Sequence, residues 1–525
     1  MSAKKDAIIK RGTPINVGNK GSILTSPFLY LSLFSLYVII QVLFGERIPV
    51  NGGLGWDGIE YARYSRDYFN EITKNRHEFL ISYEALRSLP FLVVYIIHKV
   101  LFITPTDEAL IQIWRVMNGF MIILSLYLFV CSLMFHGIER RYQILGLTLF
   151  FLNFIVSKHL IYYSIQTDAI ALFLSSLSLF LYLRGKAYLL LLTTLFASFS
   201  WPIGGMMNLL LLLFPYKKDA PSIPFKLYGF SEQALSKFRW SFEDIRIRLF
   251  MAFIGTYVLM AFAYIIIYFF NFAVPWQPPI PVFKPLAPVG LFIFCCYFFM
   301  VFYYFLSLSP FKTLAHSIKI RSIVLFVLAY VLIYLIKVLF LKGYLGLHEL
   351  RTSTEHTITS VFMFLSYHSA KPGGFIVGNA VGFGLIFMLF IVHMDKFFEA
   401  LYEHYYQMAF MVILSVLITM GPTSREMIYN FPFVAFIIII ALAKMNYSGR
   451  ELAVFYVMAF IASKIWYSLP TDIDYGNFGI YSFIGWPVQH YFMNFAESMS
   501  WNTYAVQGII FLIFMAELIR IRIKA

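Results

Sequence analysis

The sequence predicts an all-α, polytopic membrane protein, and three observations carry that expectation. The 525-residue chain is 60% hydrophobic, has a mean hydropathy of +0.74, and only 13% of its residues are charged. Apolar stretches of about 17 to 25 residues recur along its length, each long enough as a helix to cross a hydrocarbon core of about 30 Å. Short polar loops separate them and hold most of the 41 Lys and Arg residues. Water does not solvate that much apolar surface, so a soluble fold is excluded. The formal charge of +14 does not point to nucleic acid, because the basic residues fall between apolar helices, where they set orientation. Cys131, Cys295 and Cys296 lie inside apolar segments, which indicates neither a disulfide framework nor a thiolate metal site.

In chain order, residues 1–26 form a basic segment expected in the cytoplasm. The apolar stretch that follows is too long for a signal-peptide h-region and lacks a small-residue cleavage site, so residues 27–44 are expected as a retained first span. That span delivers residues 45–87 to the outer face as a first loop. Later spans are expected around residues 122, 152, 176, 194, 210, 259, 299, 331, 384, 413, 436, 460 and 511, giving roughly 12–14 in one transmembrane domain. This path puts the basic clusters at 140–141, 217–248 and 520–524 in the cytoplasm. Residues 89–102 are also apolar, but a crossing there would move those clusters outside, so they are expected as a juxtamembrane or re-entrant helix. The short spans flanking Trp201-Pro202 are expected as a bent pair. Residues 216–248 mix Pro, Ser, charges and aromatics and are expected along the cytoplasmic surface as an amphipathic insertion. Residues 271–288, 342–374 and 469–503 are long or unusual outer loops, and with 45–87 they are where function is sought.

The first outer loop reads Gly55-Trp56-Asp57-Gly58-Ile59-Glu60-Tyr61-Ala62-Arg63, then Tyr83-Glu84-Ala85-Leu86-Arg87-Ser88-Leu89-Pro90. A carboxylate between two glycines sits where backbone approaches a ligand closely, beside a Trp that offers a stacking face. The W-D-x-x-x-Y setting after the first span, followed by an aromatic-rich stretch and R-x-L-P, resembles the GT-C superfamily of polyprenyl-phosphate-sugar-dependent glycosyltransferases. The likeness is to the branch of the GPI mannosyltransferases and their bacterial relatives. Tyr162-Tyr163-Ser164-Ile165-Gln166-Thr167-Asp168 resembles that family's tyrosine-rich helix end with a second acid. Thr423-Ser424-Arg425-Glu426 with Asn430-Phe431-Pro432 resembles its late S-R motif. The resemblance covers the membrane architecture from about residue 27 to 445, with tight motifs over about 25 residues. Two departures bear on sugar identity and metal dependence: Gly55 stands where the GPI enzymes have His, and the first loop has no D-x-D pair.

The resemblance implies a GT-C-like fold with a helical first outer loop. It also implies transfer of a sugar from a polyprenyl-phosphate donor to a glycan or lipid-linked acceptor at the outer face, with membrane lipids as surroundings. The family's first-loop acid falls on Asp57 as general base, with Asp168 and Glu60 as further acids. Arg425, Arg351 and Arg87 are the expected donor-phosphate ligands, and Trp56, Tyr61, Arg63, Tyr163 and Trp201 the sugar and acceptor contacts. One carboxylate suffices for inversion by direct displacement, whereas a retaining enzyme needs a second as nucleophile. No cofactor is called for. A divalent metal is not indicated, since His348, Glu349 and His356 match no standard ligand spacing. Structural readings stand beside these: turn chemistry for Asp57, an exposed helix face for Glu60, an N-cap for Asp168, and interfacial anchors for Arg425 and Trp201. A flippase or transporter, and a polysaccharide polymerase using late-loop arginines, are the rival functions. The expected location is the bacterial inner membrane, with the endoplasmic reticulum as the alternative.

Overall fold

The computed structural model describes residues 26–55, 57–74, 87–215, 245–269, 287–307, 319–339, 372–405, 408–418, 424–469 and 501–524. Among these residues the protein is all helical, with no strand. Trp56, Arg351, the triplet His348, Glu349 and His356, and most of the segments 216–248, 271–288, 342–374 and 469–503 lie outside the described residues.

Five described helices are long and apolar enough to cross a membrane: Pro27–Phe44 (α1), Asp107–Phe135 (α5), Pro288–Leu306 within α11 (Ala287–Ser307), Ile320–Val338 (α12), and Thr503–Lys524 within α19 (Trp501–Lys524). The chain is an integral membrane protein. Apolar helices of 10–17 residues include Ser88–Val100 (α4), Asp168–Leu183 (α7), Ala187–Ser198 (α8), Pro202–Leu213 (α9), Gly374–Phe383 (α13) and Phe431–Met445 (α17). At about 1.5 Å per residue such helices cover roughly 15–24 Å, less than the hydrocarbon core. The expected 12–14 full spans therefore exceed what the described helices supply by length. Several expected spans are instead short helices that pack inside the bundle. α8 and α9 are the two short arms either side of Trp201-Pro202, and α4 covers residues 89–100 of the expected 89–102 and starts one residue earlier.

Two expected spans are broken. The segment centred near 152 divides into Arg140–Phe151 (α6) and a stretch from Ile155 to Tyr162, bent by 60° and containing a π-helical turn at Ile155–His159. Asn153 sits at the break: its side-chain N–H donates to the Phe150 carbonyl at 2.6 Å and its Oδ1 accepts from the Val156 N–H at 2.9 Å. It thus satisfies backbone groups that the interrupted helix leaves open inside the membrane. The segment around 384 breaks at Gly384, whose φ of 60° and ψ of −139° suit only glycine, giving α13 and Leu385–Val392 (α14).

α17 forms the centre of the bundle, with every residue from Phe431 to Ala443 buried; a helix apolar all round belongs inside. It packs on α6 and α7, and α7 packs on α5. α1, α12 and α19 carry exposed Leu, Ile, Val and Phe on their outer faces, as lipid-facing helices do. The positive-inside path expects cysteines introduced at positions 60 and 230 to be labelled from opposite sides of the membrane by an impermeant maleimide. Labelling of both from one side contradicts it.

Candidate functional site

The first loop is anchored at one end of the bundle before it reaches Asp57. Arg115, buried on α5, donates to the carbonyls of Gln41 at 2.7 Å and Gly45 at 2.9 Å, and so clamps the end of α1, where the Gln41 carbonyl also accepts the capping Gly45 N–H. The Ile48 N–H donates to the Tyr162 carbonyl at 3.0 Å, tying the loop to the far end of the broken helix. Asn118, also on α5, fixes that helix end by donating to the carbonyls of Leu160 at 3.0 Å and Ser164 at 2.7 Å. Two short helices follow in the loop, Gly58–Arg66 (α2) and Tyr68–Lys74 (α3). Ser65 holds α2 down: its carbonyl accepts from His98 Nε2 at 3.1 Å and its hydroxyl from the Trp114 indole at 3.3 Å.

Asp57 immediately precedes α2, with its side chain 50% exposed and no capping hydrogen bond. Its backbone N–H donates to the Tyr163 hydroxyl at 3.0 Å, and its Oδ2 accepts from Arg425 at 3.4 Å. Gly55 permits this approach: a Cβ there would stand 2.1 Å from the Tyr163 ring, and its φ is +79°. Gly55→Ala should therefore cost about 1–3 kcal/mol through overpacking and strain. A thermal-melt comparison checks it, with Gly55→Ala/Tyr163→Ser expected to regain part of the loss.

Arg425 lies in the 3₁₀ turn Ser424–Tyr429, 368 positions from Asp57 in sequence, with its side chain only 14% exposed. Burial disfavours its cation, but Asp168 and Asp57 more than offset this and hold its pKa above the ordinary value. Tyr163 and Tyr61 are further electrostatic neighbours. The turn is fixed by Tyr429: Ser175 donates to its carbonyl, Ser178 meets its hydroxyl at 3.2 Å, and Asn208 donates to Ser178 at 2.9 Å. Gly204 leaves room for the Tyr429 ring, which a Cβ would meet at 2.3 Å.

Asp168 is 2% exposed and opens the first turn of α7, where the N-cap is Thr167. It is thus not the capping residue. It lies within electrostatic reach of Arg425, Arg87 and Asp57, and its Oδ1 finds no hydrogen-bond partner. Arg87 is buried at the start of α4 with its guanidinium 4.4 Å from the centre of the buried Trp201 ring, a cation–π stack. The Leu89 N–H, donating to the Phe199 carbonyl at 3.0 Å, holds the two segments together.

Asp57, Tyr163, Asp168, Arg425, Arg87 and Trp201 thus come from five separated stretches of the chain to one end of the bundle. Glu60 and Arg63 are turned to each other instead, with an ion pair of 2.5 Å that Glu71 extends at 3.4 Å. Tyr61 is buried, with its ring 4.8 Å from Phe91, and supports the site from beneath α2. Two residues stand out beyond those expected. Gln166 and Thr167 are buried immediately before Asp168, and Gln166 Nε2 and Oε1 and Thr167 Oγ1 find no hydrogen-bond partner. Their sequence signal is a run of uncharged polar side chains where an apolar helix is about to begin. No group of three His, Cys, Asp or Glu among the described residues is arranged to hold a metal ion.

The fold and this cluster define an all-helical integral membrane protein with an acid–arginine centre at one end of its bundle. No family model, curated protein or solved structure matches the chain.

Proposed function

We propose that the protein is a membrane glycosyltransferase that moves a sugar from a polyprenyl-phosphate donor to a glycan or lipid-linked acceptor, at the periplasmic or lumenal face. The observation that carries this reading is the meeting of a half-exposed carboxylate, Asp57, with the Arg425 guanidinium, beside a buried acid and a second arginine. The chemistry asks for those parts. A base takes the proton from the acceptor hydroxyl while its oxygen bonds to the anomeric carbon, and the bond from that carbon to the phosphate oxygen breaks with its electron pair going to the lipid phosphate. Asp57 is the accessible carboxylate and serves as the base.

The departing phosphate gains negative charge, and planar guanidinium groups bind phosphate oxygens in pairs. Arg425 and Arg87 supply that contact. Asp168, buried among these cations, holds them in place while the site is empty. Gln166 and Thr167 add buried donors and acceptors of the sort that sugar hydroxyls satisfy. The departures from the GPI enzymes at Gly55 and the missing D-x-D pair leave sugar choice to these residues. The bacterial inner membrane is the proposed location. A transporter draws less support, because the site's charges gather at one end of the bundle rather than at mid-helix positions.

The test is incubation of the purified protein with a panel of radiolabelled polyprenyl-phosphate sugars and an extract of candidate acceptors. Label transferred from one lipid-phosphate sugar supports the reading. Label accepted only from nucleotide sugars, or translocation without transfer, overturns it.

A further inference from the structure

A second polar feature sits at the same end of the bundle and takes no part in the proposed chemistry. Between α13, α14, Gly449–Ser463 (α18) and α19 lies a cavity of about 460 Å³, a size that holds a single ligand of drug dimensions. Its walls are mostly apolar, with Val381, Met388, Ile510, Phe511 and Phe514 among them, and Lys464 and Gln507 also line it. Lys464 is 8% exposed and sits just past the end of α18 in the left-handed region, φ 52°. Among the described residues its ammonium has no carboxylate partner: it makes one long contact to the Ala462 carbonyl, 3.5 Å, and lies 5.9 Å from the centre of the Phe154 ring. A second buried ammonium, that of Lys158, donates to the carbonyl of Tyr467, another wall residue, and stands 3.6 Å from Glu46. Lys158 thus has an acid within reach, whereas Lys464 has none among the described residues.

A buried, uncompensated ammonium is costly, and the cost falls when an anion reaches it. The apolar walls exclude a soluble anion as the sole occupant and suit a hydrocarbon chain. The opposite face of α19 exposes Ile509, Leu512 and Ile513 in the manner of a lipid-facing helix, and Val506 at the cavity wall is exposed too, so the bilayer itself is the adjoining reservoir. We infer that this cavity binds an anionic phospholipid, with one acyl chain lying along Phe511 and Phe514 and the phosphate on Lys464. A phospholipid fits better than a polyprenyl chain, because a partly open cavity of about 460 Å³ takes one short chain. The inference is independent of the transfer reaction.

The test uses the full chain in detergent, with lipid binding read by native mass spectrometry and thermal shift. The probes are phosphatidylglycerol, phosphatidylcholine, a polyprenyl phosphate and inorganic phosphate, each added separately. Phosphatidylglycerol is expected to bind with one-to-one stoichiometry and raise the melting temperature, and the other three to do so far less. Lys464→Asn removes the charge while keeping a residue that tolerates the left-handed backbone, and it should weaken phosphatidylglycerol binding roughly 10- to 100-fold, the worth of one charged hydrogen bond. Lys464→Arg should retain binding. Ala380→Phe, which fills the cavity, should lose it while the charge remains. Equal binding by Lys464→Asn and wild type, equal binding of phosphatidylcholine, or full binding by Ala380→Phe overturns the proposal. A response to inorganic phosphate alone would make the site a free-anion site, and a preference for the polyprenyl phosphate would make it part of a donor path; either result also overturns it.

Discussion

Asp57→Asn is expected to lower the rate of sugar transfer by roughly 10²- to 10⁴-fold, the usual worth of a lost general base. The substitution is nearly isosteric, and the two contacts that place the residue survive it. The backbone N–H still donates to Tyr163, and the amide oxygen still accepts from Arg425. What is lost is the ability to take a proton. Because the side chain is half exposed, stability should stay within about 0.5 kcal/mol of wild type. Donor binding should survive, since the phosphate contacts lie on Arg425 and Arg87. A fall in turnover with unchanged donor affinity therefore marks a group acting in the transition state. Initial rates and donor binding measured side by side in nanodiscs check this, and near-wild-type transfer by Asp57→Asn would remove the base from the mechanism.

Arg425→Ala should behave differently and more severely. It removes the cation beside the buried Asp168, and stripping one partner from a buried charge pair costs about 3–5 kcal/mol. The Arg87 guanidinium compensates Asp168 in part, which places the expected loss at the lower end. It should also weaken donor binding, since the lipid phosphate is charged before transfer as well as after it. Arg425→Ala/Asp168→Asn separates the two effects: it should recover much of the stability, because no buried acid is then left unpaired, while donor affinity stays low. Arg425→Lys should not restore donor affinity, as an ammonium does not reproduce the planar fork. Unfolding in a denaturing detergent and equilibrium donor binding check both expectations. Wild-type stability and donor affinity in Arg425→Ala would contradict them together.

The all-helical membrane class was legible from composition and the recurrence of apolar stretches, because the bilayer forces backbone groups to be satisfied within helices. The short arms at Trp201-Pro202 were legible too, since proline and length both mark them. The breaks at Asn153 and Gly384 were not. An apolar window reads the same whether the helix through it is straight or bent, and it is one amide side chain and one positive φ that decide. At the site, Asp57, Asp168 and Arg425 stood out as charges in an apolar chain and the resemblance set them in one site, but the physical basis of their meeting was not readable. It rests on Asn118, Tyr429 and Ser178, whose contacts span from about 40 to more than 250 residues. Glu60 and Arg63 show the converse. Spaced three apart on α2, they had a local ion pair open to them from the start, and they make it. Lys464 does not stand out in the sequence because a lysine at a helix end is ordinary, and only burial without an acid among the described residues sets it apart.

Direct displacement at Asp57 is tested most plainly by the anomeric configuration of the product. With Asp168 buried among arginines and Asp57 as the one accessible carboxylate of the pair, no second carboxylate of the cluster is placed as a nucleophile among the described residues, and the product sugar should be inverted relative to the lipid-phosphate donor. The measurement is the anomeric coupling constant of purified product by NMR, with the donor's configuration established beforehand. Inversion is the expected result. Retention would require a covalent glycosyl-enzyme intermediate or a different attacking group, and it would contradict Asp57 as the base of a single displacement.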